Sequence, residues 1–87
     1  MTNEEIVQQI QSGIMVSVNQ ERLWEKNKKF VSYCIKKYIG GCEQQDYEDF
    51  MNEGFIGLVT AAMRYKAELG VKFLTFASFY VRAALYR

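Results

Sequence analysis

The sequence predicts an all-α chain, a small bundle of about four helices, on three observations. Proline is absent, and the punctuation comes from glycine, at Gly13, Gly40-Gly41 and Gly70. Between those breaks, apolar residues recur at spacings of three and four and seldom alternate. Thr2 and Glu5 form a capping-box pattern, in which a helix N-terminus satisfies its own free amides.

The elements follow in order. A first helix starts at Thr2 and stops near Gly13. A second is expected from near Asn19 to about Ile39, with Leu23, Phe30, Val31, Cys34, Ile35 and Tyr38 as its apolar stripe. Gly40-Gly41 ends it. A third helix takes Asp46 as N-cap and runs to about Tyr65, its early carboxylates suiting a helix N-terminus. After a short loop around Gly70, the fourth runs from Phe73 or Leu74 to the end of the chain. No glycine, asparagine or proline closes it, which reads as a cut inside a longer protein.

With 87 residues the chain is expected to form one domain, near the lower limit for burying its own core. Its apolar share, 49%, excludes a disordered tail. The net charge is only +1, but it is segregated: residues 20–39 carry +4, residues 40–58 carry −5, and residues 60–87 carry +4. An acidic middle between basic flanks suggests more than one kind of partner. There is no histidine, so neither a Cys/His zinc set nor a Ser/Cys–His pair can be built, and no phosphate-binding glycine loop is present. No metal, cofactor or enzymatic activity is expected. Cys34 and Cys42 read as reduced thiols. The polar start MTNEEIVQQI is no signal peptide, and no apolar run approaches a membrane span, so a soluble, cytoplasmic protein without membrane contact is expected.

Two of the helices have more non-polar surface than a small bundle uses. On the third, Tyr47, Phe50, Met51, Gly54, Leu58, Ala61, Ala62 and Tyr65 share the core side. The opposite side collects Asp49, Asn52, Glu53, Ile56, Val59, Thr60 and Met63, carboxylates interleaved with aliphatics. That pattern suits a docking surface, and it also fits a solvated face with stray apolar side chains. On the fourth, Leu74, Ala77, Val81, Ala84 and Leu85 make the core seam. Phe76, Phe79, Tyr80 and Tyr86 point elsewhere, beside Arg82 and Arg87, with Thr75 at the edge and Phe73 just before. Rings beside cations suit single-stranded nucleic acid, where each stacked base contributes about 1–3 kcal/mol. The alternative is that these rings belong to the core.

Three segments in order carry a family resemblance: LWEKNKKFVSYCIKKY, DYEDFMNEGFIGLVTAAMRY and GVKFLTFASFYVRAALYR. From Leu23 to Arg87 the chain resembles region 2 of the sigma-70 family of bacterial transcription initiation factors. The first segment looks like the family's opening conserved helix. The second resembles its hallmark, an acidic residue followed by E-G-x-x-G-L. The third resembles the promoter-melting segment, G-x-x-F-x-T-[YF]-A with two aromatics and a V-R pair. The resemblance implies an N-terminal helix and loop over residues 1–18 and core-binding and promoter-melting helices over residues 19–87.

It also implies partners and sites. Asp49, Asn52, Glu53, Phe55, Leu58 and Val59 match positions that dock on the β′ clamp helices of core RNA polymerase. The last segment is similar to the part that captures the non-template strand of the −10 promoter element. There Tyr65 and Phe76 would shape a pocket for a flipped base, Phe79 and Tyr80 would form the wedge, and Lys72, Phe73 and Thr75 would touch the strand. Arg82 and Arg87 would hold phosphates. An anti-sigma factor is a further partner the class implies.

Departures from the pattern point to an alternative-type sigma factor. Primary members carry two tryptophans where this chain has Phe79-Tyr80. An acidic pocket residue appears as Lys66 and a neighbouring arginine as Leu69. The glutamine and threonine used at the upstream duplex base pair correspond to Ala83 and Tyr86. These changes keep a second reading open, a polymerase-binding module that does not melt DNA.

Overall fold

A computed structural model describes all 87 residues as four α-helices, one 3-10 turn and no strand. Helix α1 (Asn3–Gln11) opens on the expected capping box: the Thr2 hydroxyl accepts from Glu5 N–H at 3.1 Å, and Thr2 N–H donates to Glu5 Oε1 at 2.8 Å. The backbone bond from Thr2, reinforced by its hydroxyl, holds the Glu5 carboxyl below the usual carboxylate range. Ile6, Val7 and Ile10 turn inward.

Helix α2 (Val16–Tyr38) begins earlier than the expected Asn19, after Met15 in the left-handed region at φ 41°. Asn19 does not cap from outside the helix. It is fully buried, and its amide donates to Gln9 Oε1 at 3.0 Å and to Ile14 O at 2.9 Å, while Arg22 donates to its Oδ1. A side chain that resembles a cap in sequence therefore ties the α1–α2 turn together from within the helix. At the other end Gly40, at φ 87°, takes the left-handed turn that closes α2.

Helix α3 (Gln44–Arg64) also starts before its expected cap. Glu43 occupies the cap position, and Asp46 lies in the first turn, where its charge still favours the helix dipole. A 3-10 turn (Ala67–Leu69) and Gly70, at φ 75°, lead into α4 (Phe73–Leu85). Here Phe73, expected only to precede the seam, is fully buried, while Leu74 is half-buried. The chain enters α4 beneath the Tyr65 ring, 5.5 Å away and edge-on, which assigns the core seat to the first aromatic.

The core gathers Leu23, Val31 and Ile35 of α2, Leu58 and Ala61 of α3, and Phe73, Ala77 and Val81 of α4. Each large side chain fully buried there contributes about 1.5–3 kcal/mol. Two helical glycines set the spacing of the layers. A Cβ on Gly57 would lie 2.8 Å from Tyr80 O and 3.0 Å from Val81 Cα, so α4 meets α3 backbone to backbone. A Cβ on Gly54 would overlap the Val31 side chain of α2. Each glycine costs roughly 0.5–1 kcal/mol of helix propensity, offset here by the close approach. No helix is long and apolar enough to cross a membrane.

Candidate functional site

With its inner side committed to α2 and α4, α3 presents the remainder outward. Asp49, Asn52 and Ile56 are exposed, and Glu53 and Val59 are half-buried. Of these, only Glu53 has an ionic partner: Arg87 Nη2 lies 3.0 Å from its Oε2. Half-buried Phe55 meets Trp24 of α2 edge-on, with ring centroids 5.4 Å apart. Beside that pair a groove of about 400 Å³ is lined by Ser17, Gln20, Glu21, Trp24, Asn52 and Phe55. The sequence reading missed Trp24; its cue was a large ring at a helical position outside the apolar stripe.

Leu58 is a correction to the expected docking set. Its side chain has no exposure at all, because α3 turns that position into the core beside Ala61 and Ala62. It supports the face without being able to touch a partner.

The second surface lies on the α3–α4 connection and α4. The Tyr65 ring stands edge-on to Phe73 at 5.5 Å and to Phe76 at 5.6 Å, and Phe76 continues to Tyr80 at 5.1 Å. The array is graded in burial. Phe73 is sealed and Tyr65 is nearly so, its hydroxyl donating to Val71 O at 2.6 Å. Phe76 and Tyr80 are half-buried, whereas Phe79 and Tyr86 are 69% and 56% exposed. Phe73 and Tyr65 thus belong to the core, whereas Phe79 and Tyr86 face solvent. Phe73 is a second correction: a side chain with no exposed surface cannot contact a strand directly. Lys72 and Thr75 are exposed at the head of α4. Further along, the Arg82 guanidinium lies 5.0 Å over Tyr38 and 5.8 Å from Tyr86.

Two residues outside every expected site hold this surface in shape, and both come from α1. Gln11 Nε2 donates to Ala62 O at 2.8 Å and to Tyr65 O at 2.7 Å, satisfying carbonyls where α3 ends. Glu4 Oε2 accepts from Phe73 N–H at 2.7 Å where α4 begins. These bonds span 51, 54 and 69 residues of sequence, beyond the reach of any local pattern. No group of three or more carboxylate and thiol side chains converges to hold a metal ion. Both cysteines are free, Cys42 exposed and Cys34 buried, where desolvation pushes its thiol pKa up.

The sigma-70 region 2 family model matches residues 23–87 of this chain. RNA polymerase sigma factor SigA of Microcystis aeruginosa is 32% identical over 68 residues, covering 78% of this chain and 16% of that protein. RNA polymerase sigma factor SigA of Nostoc sp. is 31% identical over 68 residues, covering 78% and 17%. The chain thus spans about one sixth of the length of the curated relatives it matches. No solved structure gives a significant match.

Proposed function

The chain belongs to the sigma-70 region 2 family, and from that premise we propose that it docks on core RNA polymerase through α3 and holds open promoter DNA with α4. The observation that carries this reading is the segregation of two unlike surfaces on adjacent helices. One is acidic and aliphatic, with Asp49, Asn52 and Glu53 outward. The other is the graded ring array from Tyr65 through Phe76 and Tyr80 to Phe79, flanked by Lys72 and Arg82. Carboxylates on a rigid helix suit a basic partner such as the β′ clamp helices. Rings of rising exposure suit a single strand whose bases leave one stack and enter another.

On this reading the work is binding, and no bond is made or broken. A base of the −10 non-template strand is flipped toward Phe76, with Tyr65 behind it, and Phe79 and Tyr80 wedge the edge of the bubble. Unstacking costs a few kcal/mol, offset by stacking on the rings and by phosphate contacts from Lys72, Arg82 and Arg87. Thr75, exposed one turn from Phe79, lies where the strand would pass. The departures at Lys66, Leu69, Phe79 and Tyr80 favour an alternative-type factor with its own promoter preference. One observation favours the second reading, docking without melting: the Tyr65 and Phe76 rings are in contact, so a flipped base must first part them.

The test is co-elution with bacterial core RNA polymerase, followed by capture of a −10 strand on that complex. Glu53→Lys, on a half-exposed position, should abolish docking while circular dichroism shows the helices intact. Because that change also breaks the pair with Arg87, Arg87→Ala is the control and should still dock. Phe76→Ala should impair capture more than docking. If the folded wild type does not bind the polymerase at low or moderate salt, the reading fails.

A further inference from the structure

The connection between α3 and α4, residues 66–72, has no apolar anchor of its own. All of its residues are exposed, and its 3-10 turn buries none. Such a segment sits at the low-stability end of a fold, where local opening costs little. Yet it joins Tyr65 to Phe73, the two sealed rings of the array. What holds it is polar and comes chiefly from α1, outside the matched residues 23–87. Gln11 Nε2 bridges Ala62 O at 2.8 Å and Tyr65 O at 2.7 Å, and Glu4 Oε2 accepts from Phe73 N–H at 2.7 Å. Tyr65 is thereby pinned at three atoms. Its amide donates to Ala61 O at 2.9 Å, its carbonyl accepts from Gln11, and its hydroxyl donates to Val71 O at 2.6 Å. Phe76, in contact with the Tyr65 ring, is half-buried and held by packing alone.

We propose that Gln11 is a positioning residue for base capture: from α1 it fixes the Tyr65 carbonyl and makes Tyr65 the standing wall of the pocket a flipped base enters. This role rests on the strand-holding function proposed for α4. A wall that must be ordered as the base arrives gives up part of the stacking free energy to lost conformational entropy, whereas a wall set beforehand does not. The Gln11 amide is suited to that task. It bridges one carbonyl in the last turn of α3 and one just beyond it, so it fixes the direction in which the chain leaves the helix. Tyr65 cannot turn aside without breaking its hydroxyl bond and shifting a braced carbonyl. The ring that yields to an entering base is therefore Phe76. Gln11 offers the strand neither a ring nor a charge, and it acts through Tyr65.

The experiment measures anisotropy of a fluorescent −10 single strand on the complex with core RNA polymerase, with the strand intact or carrying an abasic site at each position in turn. On wild type the most costly abasic site marks the captured base, and loss of its stacking should weaken binding by about fivefold or more. Gln11→Met keeps the length of the side chain and removes its donors. It should dock on the polymerase as wild type does, yet reduce that abasic penalty to about twofold or less. Gln11→Lys, whose ammonium can donate to both carbonyls, should keep the penalty, its added charge cancelling in the ratio of intact to abasic strand. Gln11→Glu, with acceptors facing both carbonyls, should lose it, and replaces Gln11→Met if that variant loses helix by circular dichroism. In the chain without DNA, removing the donors should speed hydrogen exchange at the Tyr65 amide. An undiminished penalty in the folded donor-free variant would overturn the positioning role and leave the strand reading of α4 standing. So would a lost penalty in Gln11→Lys, or a diminished one with Tyr65 exchange unchanged. Wild type that shows no abasic penalty at any position rejects the strand reading itself, and the role of Gln11 with it.

Discussion

The C-terminal half of α4 lies so close to α3 that only glycine fits at position 57, whereas its N-terminal end is tied to α1 by one carboxylate, Glu4, on the Phe73 amide. The first attachment is dry and steric. The second is polar, and Gln11 repeats it at the nearby end of α3. The difference matters because the ring array spans both regimes, from Tyr65 and Phe73 at the polar end to Tyr80 against Gly57. A close-packed seam fixes where α4 is. Hydrogen bonds to helix ends fix how the connection carrying Tyr65 enters it, and they can be changed without unpacking the core.

The largest effect should come from the dry attachment. Gly57→Val puts a branched Cβ 2.8 Å from Tyr80 O and 3.0 Å from Val81 Cα, backbone atoms that cannot move aside, and should destabilise the fold by about 3 kcal/mol. Urea denaturation measures it; a loss under 1 kcal/mol would mean that the helices can separate cheaply. Asn19→Ala comes next. It strands the Ile14 carbonyl and the Gln9 and Arg22 side chains, and should cost about 2 kcal/mol by the same measurement. A cost equal to that of Gly57→Val would erase the distinction between dry and polar attachments.

Smaller still, Glu4→Ala should cost about 1 kcal/mol as the loss of a helix-end cap, with faster hydrogen exchange at the Phe73 amide. Glu4→Gln keeps an acceptor oxygen and should restore most of that protection. Identical exchange in both variants would show that the charge, and not the bond, is what α4 needs.

The smallest effect is a pH dependence. Because the folded chain holds Glu5 below the usual carboxylate range, its capping bond to Thr2 contributes fully above that range. The contribution is lost as pH falls through the lowered folded value. The Thr2 amide shift in nuclear magnetic resonance should titrate accordingly, and its removal by Glu5→Ala would confirm the source.

Much of the architecture was legible because it rests on local periodicity. Thr2 and Glu5 announced α1, Gly40 ended α2, and the outward row Asp49, Asn52 and Ile56 was read correctly from 100° spacing. Starts of helices were less legible. Asn19 and Asp46 resemble N-caps, yet both lie inside helices, since a short polar side chain can satisfy a turn from either side. In the candidate site, Leu58 and Phe73 entered through the family resemblance, which matches positions and not depth; the helical wheel had already put Leu58 on the core side, where it is fully buried.

By itself, then, the sequence determined an all-α chain, four helices, an acidic middle between basic flanks, and the three segments that carry the family resemblance. These depend on residue type and short-range spacing, which the chain carries wherever it folds. Only the tertiary structure decided which aromatics are sealed and which are offered. It also decided that Glu4 and Gln11 brace the α3–α4 connection, and that Arg82 of α4 lies over the Tyr38 ring of α2. Those outcomes depend on the distance of approach between helices, set at Gly54 and Gly57, and on contacts between residues up to 69 positions apart. No local pattern encodes either.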